Sequence, residues 1–222
     1  MTAKIILFDV DGVLVDSLDS HLRICQHLNT AYGLGLQIPT RSEFRSLART
    51  GTRISPMPEF FAAVGFPSDR IDDADRYYQK HFSKDFPSGV FHGIPEVLKR
   101  LHHAGARLGI VTSNIRENVE SALGSSWKLF DPHFCFTFDD VRKMTKSQAL
   151  AFTAKELEID PSEILYIGDQ PSDQHASENA GAAFLGVTWG WAIAKGDSSI
   201  CTVDTPEELG DYVMSVMPKK NE

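Results

Sequence analysis

The stretch KIILFDVDGVLVDS, residues 4–17, places two aspartates directly after a short apolar run. Ile5–Phe8 is apolar on both faces, which is typical of a strand buried on both sides in a parallel sheet. Side chains two positions apart in an extended chain point the same way, so Asp9 and Asp11 are expected to lie side by side. Two such carboxylates repel each other unless a cation or an anion-binding group is near. The pair is therefore costly for folding and indicates a functional site.

The composition is that of an ordinary globular protein and excludes several functions. The chain has 222 residues, 42% of them hydrophobic and 23% charged, which allows one large domain or two compact ones. A formal net charge of −8 argues against nucleic-acid binding. No apolar run has the length of a membrane span, and the N-terminus lacks a signal-peptide layout. The 3 cysteines lack metal-ligand spacing, so we expect reduced thiols in a cytoplasmic protein.

Five short apolar runs predict strands. They are Ile5–Phe8, Leu108–Val111, Phe134–Phe136, Ile164–Ile167 and Ala183–Val187. Helical patterns separate the later runs, which is the alternation expected of β-α-β units. The sequence therefore predicts an α/β fold built on a parallel sheet.

The long segment between the first two predicted strands has a helical pattern. Leu18, Leu22, Cys25, Leu28 and Tyr32 recur at helical spacing. The pattern predicts a small helical cap domain over residues 16–88, with Phe60, Phe61 and Phe66 in its core. Residues 1–15 and 89–222 would then form the α/β catalytic core, and hinges at the two linkers would let the cap close as a lid.

Four groups of polar residues fall at or near the ends of predicted strands. They are Asp9-Val-Asp11-Gly12, Thr112-Ser113-Asn114, Lys146, and Gly168-Asp169-Gln-Pro-Ser-Asp173. Ligands of open parallel sheets bind at the carboxyl ends of the strands, so we expect these groups to meet in one crevice. They would supply a carboxylate nucleophile, a second carboxyl as acid and base, a Mg²⁺ site at Asp9 and Asp169, and donors for phosphate oxygens. Phosphoryl transfer needs this set of groups.

With these motifs and the helical insertion, the chain resembles the haloacid dehalogenase-like superfamily over essentially its whole length. Other segments look most like the phosphoglycolate phosphatase-like branch. They are Gly12-Val-Leu-Val-Asp-Ser17, Gly93-Ile-Pro-Glu-Val-Leu98, Gly186-Val-Thr-Trp-Gly-Trp191 and Asp204-Thr-Pro-Glu-Glu-Leu209. The resemblance implies a Rossmann-like core and a Mg²⁺-dependent phosphatase that hydrolyses a small phosphate monoester, with phosphoglycolate as the leading candidate, through an aspartyl phosphate.

The resemblance also implies a role for each matched residue. Asp9 would be the nucleophile, Asp11 the acid and base, and Thr112 the phosphate-binding hydroxyl. Lys146 would orient the nucleophile and the phosphate. The implied metal ligands are Asp9, the backbone carbonyl of Asp11, Asp169 and, as a ligand or as a partner of the ligands, Asp173. The implied phosphate contacts are Gly12, Ser113 and Asn114.

Several assignments have an alternative. The family's lysine usually precedes a proline, whereas Ser147 follows Lys146, so Lys143 is a second candidate. Arg49 and Arg53 flank a glycine in the cap and are predicted to bind a carboxylate or second phosphate of the substrate, or else to lie in a solvated turn. His21 either faces the cleft or is an ordinary polar helix residue. The segment Trp189-Gly-Trp191 either lines the cleft or packs its aromatic rings against the sheet.

The function also has alternatives. A sugar-phosphate mutase of β-phosphoglucomutase type shares the core motifs, and a non-catalytic interaction protein could retain the fold. Dehalogenases and phosphonate hydrolases are disfavoured because those families replace the second aspartate, which this chain keeps as Asp11. The expected partner is a small phosphorylated metabolite, without nucleic acid or membrane, and the expected state is a monomer or homodimer.

Overall fold

The computed structural model describes residues 2–196 and 198–218. Within these residues the strands are β1 (Ile5–Phe8), β2 (Val15–Asp16), β3 (Gly89–Val90), β4 (Leu108–Val111), β5 (Cys135–Phe136), β6 (Ile164–Gly168), β7 (Ala183–Val187) and β8 (Thr202–Val203). A parallel sheet of 6 of them has the order β5-β4-β1-β6-β7-β8. The α/β prediction is therefore confirmed, with β1 at the centre of the sheet.

The five predicted strands are all present, with one shortened and one edge strand added. β5 begins at Cys135 because Phe134 closes a short 3₁₀ helix, Pro132–Phe134, which starts at a proline. β8 pairs with β7 and was not predicted, since it is only 2 residues long.

The helices are α1 (Leu18–Tyr32), α2 (Arg41–Arg49), α3 (Met57–Val64), α4 (Ser68–Asp85), α5 (Ile94–His103), α6 (Arg116–Leu123), α7 (Lys146–Glu156), α8 (Pro171–Ala180) and α9 (Pro206–Val216). Along β1, Ile6 and Phe8 pack with residues of α5, α6 and α9, whereas Ile5 and Leu7 pack with α7 and α8. This alternation explains why β1 is apolar at every position. No helix of the described residues is both long and apolar enough to cross a membrane.

Helices α1–α4 lie between β2 and β3 and share a hydrophobic core of their own; we call them the cap, and the large sheet with α5–α9 the core. Phe60, Phe61 and Phe66 are buried in the cap, as expected. β2 and β3 form a short antiparallel pair at the two crossings between cap and core. No strand was predicted there because each has only 2 residues.

The sheet carries the candidate functional residues to its carboxyl edge. Asp9 follows β1, Thr112 follows β4 and Asp169 follows β6. Lys146 is the first residue of α7, which Thr145 starts through a capping box with Gln148. The candidate residues therefore meet at the carboxyl edge of the parallel sheet, where the sequence predicted a crevice.

Candidate active site

Lys146 joins two buried aspartates at the base of the crevice. Its Nζ donates hydrogen bonds to Asp9 Oδ2 at 2.7 Å and to Asp173 Oδ1 at 2.6 Å. Burial alone would lower the pKa of Lys146, but the carboxylates of Asp173 and Asp9 raise it above its ordinary value. The lysine is therefore a fixed cation next to Asp9. Lys143, the alternative, lies elsewhere, with its ammonium 5.9 Å from the ring centre of Phe138.

The Asp173 carboxylate is engaged by donors on both oxygens. Oδ1 accepts from Lys146 and lies 3.3 Å from the Tyr166 hydroxyl, which donates its proton to the nearer Val111 carbonyl at 2.9 Å. Oδ2 accepts from the backbone N–H groups of Asp169 at 3.3 Å and Gln170 at 3.2 Å. Asp173 was expected to be either a metal ligand or a partner of the ligands. These contacts favour a partner, which positions Lys146 and the loop that carries Asp169.

Three carboxylates form a cluster that fits a divalent cation. Asp9, Asp169 and Asp173 each offer an oxygen within 4.8 Å of the others. Asp169 is buried; its Oδ2 accepts the Trp191 N–H at 2.5 Å, whereas its Oδ1 has no hydrogen-bond partner among the described residues. Burial first, and then the charges of Asp173 and Asp9, raise the pKa of Asp169 well above its ordinary value. A Mg²⁺ ion would satisfy the free oxygen and offset the repulsion.

Two glycines allow the chain to pass close to Asp169. Gly12 has φ +79°, in the left-handed region, and a Cβ there would collide with the Asp169 carboxylate. A Cβ at Gly190 would collide with the same side chain. Gly12, expected as a phosphate contact, is thus placed against a candidate metal ligand, and any side chain at position 12 or 190 would displace that ligand.

Asp11 is held apart from this carboxylate cluster by neutral donors. Its Oδ1 accepts from Ser17 Oγ at 2.5 Å, and its Oδ2 accepts from Asn114 Nδ2 at 2.7 Å. The carboxyl group still lines the same cavity as Asp9. The structure therefore gives the two aspartates separate environments, and it turns the amide of Asn114, an expected phosphate contact, towards Asp11.

A small, partly open cavity lies between core and cap. It is lined by Asp9, Asp11, Thr112, Ser113, Asn114 and Gln170, together with His21, residues 54–57, Tyr78 and Trp191. Cap and core meet at its rim, where Ser55 Oγ and Ser113 Oγ are 2.7 Å apart. His21 and Trp191 thus both reach the cleft, although Trp191 also packs in the cap core. Such a cavity suits a small substrate.

Arg49 and Arg53 lie outside this cavity. Arg49 is exposed, and Arg53 is 76% exposed with Glu59 Oε1 3.4 Å from its guanidinium. The arginine that crosses to the core is Arg45, whose Nη2 donates to the Thr188 carbonyl at 3.0 Å. No contact in this arrangement supports the expected binding of substrate by Arg49 and Arg53.

Sequence reasoning missed Tyr78, which reaches the site from the cap. Ala74, Tyr78 and Phe82 form the buried face of α4, so their spacing predicts only helix packing. The sequence carried no signal that separates one tyrosine on this face from its core neighbours.

Comparison with known proteins identifies the class of this site. The profile of the haloacid dehalogenase-like hydrolase family matches residues 6–187. The chain belongs to that family, and the expectation of a hydrolase is confirmed.

Curated relatives of the chain are phosphatases. It is 29% identical over 224 residues to the N-acetylmuramic acid 6-phosphate phosphatase of Pseudomonas aeruginosa, covering 96% of each chain. It is 30% identical over 189 residues to the pyrophosphatase PpaX of Bacillus velezensis, covering 83% of this chain and 82% of the relative. Phosphoglycolate phosphatases of Synechococcus elongatus and Vibrio vulnificus are also similar to it.

Solved structures share the fold. A haloacid dehalogenase-like hydrolase from Streptococcus pneumoniae superposes with a TM-score of 0.76 at 20% identity, over 95% of this chain and 98% of the other. The Rossmann-like core of the family is therefore confirmed for this chain.

Proposed function

We propose that the protein is a Mg²⁺-dependent phosphatase that hydrolyses a small phosphate monoester through an aspartyl phosphate on Asp9. The proposal rests on one observation, the different environments of Asp9 and Asp11 at the cavity. Asp9 lies beside Lys146 and the buried Asp169, which has a free oxygen, whereas Asp11 faces the same cavity among neutral donors. One carboxylate is thereby equipped to attack phosphorus and the other to move protons.

The reaction would run in two displacements. An Asp9 oxygen forms a bond to phosphorus while the ester P–O bond breaks, and Asp11 gives its proton to the departing oxygen. Asp11 then takes a proton from water, whose oxygen attacks phosphorus and releases inorganic phosphate, restoring the Asp9 carboxylate. Lys146 holds Asp9 and lies beside the phosphoryl group, and Thr112 offers it a hydroxyl.

Asp9, Asp169 and the backbone carbonyl of Asp11 would hold the Mg²⁺, with Asp173 behind them. When bound, Mg²⁺ supplies positive charge that offsets the charge on the phosphoryl oxygens. Closure of the cap would exclude bulk water during the reaction, and its opening would release the product.

We propose phosphoglycolate as the leading substrate candidate on the strength of the family resemblance. The relatives' names also include a sugar phosphate and pyrophosphate as substrates of those proteins. Among the described residues, no arginine lines the cavity to pair with the carboxylate of phosphoglycolate. The choice between these substrates therefore needs a direct comparison of rates.

The test is phosphate release with and without Mg²⁺. Wild-type protein is assayed on 4-nitrophenyl phosphate, phosphoglycolate, N-acetylmuramic acid 6-phosphate and pyrophosphate. We expect Mg²⁺-dependent release that falls at least ~10³-fold in Asp9→Asn, because the amide cannot form the phosphoenzyme. Asp72→Asn, an exposed aspartate of α4, is the matched control and should keep the wild-type rate.

Three outcomes would contradict the proposal. Wild-type protein that is inert on the whole panel with Mg²⁺ present would favour the non-catalytic alternative. Interconversion of hexose 1- and 6-phosphates that needs a bisphosphate primer would favour the mutase. Full activity of Asp9→Asn would show that Asp9 is not the nucleophile.

A further inference from the structure

Tyr78 is a cap residue whose hydroxyl reaches the core. The side chain is buried on α4, and its hydroxyl lies 3.0 Å from Asn114 Oδ1 and 3.4 Å from His21 Nε2. Asn114 follows β4, so this contact joins the cap to the carboxyl edge of the sheet. The Tyr78 hydroxyl is therefore placed one side chain away from Asp11.

The direction of the hydrogen bonds follows from the neighbouring donors. His21 Nδ1 is 2.8 Å from the Ser17 carbonyl, which only accepts, so Nδ1 carries the proton. Burial lowers the pKa of His21 while the Asp11 charge opposes the shift, so the ring is neutral and Nε2 is an acceptor. The single Tyr78 proton therefore goes to the nearer acceptor, Asn114 Oδ1.

The hydrogen-bond donors around the Asn114 side chain fix the orientation of its amide. Its Oδ1 also accepts from the Ile115 N–H at 2.8 Å and from Asn118 Nδ2 at 2.9 Å. A backbone N–H only donates, so the atom that faces it is the oxygen. The nitrogen of Asn114 must then face Asp11 Oδ2, at 2.7 Å.

We propose that Tyr78 is a positioning residue for the acid and base of the reaction. Its hydroxyl holds the Asn114 amide, and the amide holds the Asp11 carboxyl group in place beside the leaving group. This inference rests on the proposed function, because it assigns to Asp11 the proton transfers of a phosphatase. Tyr78 also lines the cavity, but its hydroxyl reaches Asp11 through Asn114.

The proposal has a kinetic consequence that depends on the leaving group. An alkoxide needs the Asp11 proton to depart, whereas 4-nitrophenolate departs without it. The value of kcat/KM includes only steps up to departure of the leaving group, so it excludes hydrolysis of the phosphoenzyme. A misplaced Asp11 therefore lowers kcat/KM for an alkyl phosphate and leaves kcat/KM for the nitrophenyl ester unchanged.

The experiment measures kcat/KM for both esters in Tyr78→Phe. We expect the alkyl-to-nitrophenyl ratio to fall ~10-fold, the factor that corresponds to one lost hydrogen bond. The matched control is Tyr77→Phe, the next residue on α4, whose hydroxyl contacts His27 Nε2 at 3.0 Å. It should leave the ratio unchanged.

The fold should tolerate Tyr78→Phe, because the ring keeps its packing against Phe82 and Asn114 Oδ1 keeps two other donors. Asn114→Ala, which removes the amide itself, is the second variant and should lower the same ratio. Equal losses on both esters, or an unchanged ratio in both variants, would overturn the assignment of Tyr78. If wild-type protein releases no phosphate from either ester, the proposed function fails instead.

Discussion

Asp9 and Asp11 are two positions apart in sequence, yet different parts of the molecule hold them. Asp9 is fixed by core residues alone, through the Val10 N–H at 2.8 Å and Lys146. Asp11 is fixed by Ser17, which lies at the start of the cap, and by Asn114, which a cap tyrosine contacts. The proposed nucleophile side is complete within the core, whereas the proposed acid and base side is complete only with the cap in place.

The two sides also differ in electrostatics. Around Lys146, buried carboxylates and one cation offset each other's charge. Around Asp11 the donors are a hydroxyl and an amide. Variants on the nucleophile side should therefore affect both activity and stability, and variants on the acid and base side should change the leaving-group dependence of kcat/KM.

The largest effect is expected for Lys146→Met, which keeps the chain length and removes the charge. Without Mg²⁺ it leaves two buried carboxylates uncompensated, so we expect kcat/KM to fall at least ~10³-fold and the free energy of unfolding to fall by about 3 kcal/mol. Steady-state kinetics and urea unfolding measure the two effects. The control is Lys155→Met on the exposed face of α7. A fall in activity with unchanged stability would show that the lysine charge is not part of the buried network.

A smaller and selective effect is expected for Ser17→Ala. It removes the hydroxyl that donates to Asp11 Oδ1, so kcat/KM for an alkyl phosphate should fall ~10-fold and that for 4-nitrophenyl phosphate less than ~2-fold. Ser20→Ala is the control, because Ser20 lies in the first turn of α1, which directly follows Ser17, and its hydroxyl donates to the Pro87 carbonyl. Equal losses on the two esters would mean that Ser17 supports the cap and not Asp11.

The smallest effect is expected for Asp140→Asn, in the loop that leads to Lys146. The Arg142 guanidinium donates to Asp140 and to the His133 and Cys135 carbonyls, and its hydrogen bonds lower the pKa of Asp140 to about 2. The folded state thus binds this proton more weakly than the unfolded state, whose carboxyl has a pKa of about 3.9. Because solvent screens much of this pair, it stabilises the fold above about pH 4 by about 1 kcal/mol, and this contribution is lost as the pH falls towards 2.

Denaturant unfolding between pH 3 and pH 7 checks this expectation. The difference between wild type and Asp140→Asn should be constant above about pH 5 and shrink below about pH 4. Asp72→Asn serves again as the exposed control. A difference that stays the same down to pH 3 would show that the ion pair does not lower the pKa of Asp140.

The sequence predicted the sheet and the motif positions because both depend on local patterns. Alternating apolar runs and helix caps place β1, β4, β6 and β7, and these strands carry Asp9, Thr112 and Asp169 to one edge. Two-residue strands such as β8 are too short to produce a pattern.

The partners of these residues were not predictable, since they depend on how distant elements pack. The helix pattern of α2 does not show that Arg45 faces the core, one turn before the exposed Arg49. In the same way, the contact of Tyr78 with Asn114 joins residues whose separation in the chain is 36. The motifs suggest the proposed division of roles between Asp9 and Asp11, but the contacts that distinguish the two carboxylates are visible only in the fold.

The central place of β1 in the sheet has a consequence for folding. Ile6 pairs with Leu108 on one side and with Leu165 on the other, so both edges of β1 stay open until distant parts of the chain arrive. Closing such long loops is slow, and an unpaired apolar strand is prone to aggregate meanwhile. The cap helices, by contrast, make mostly local contacts and are free to form early. During refolding, phosphatase activity should therefore return after the part of the helical signal that the cap contributes, when the strand that carries Asp9 is enclosed on both sides.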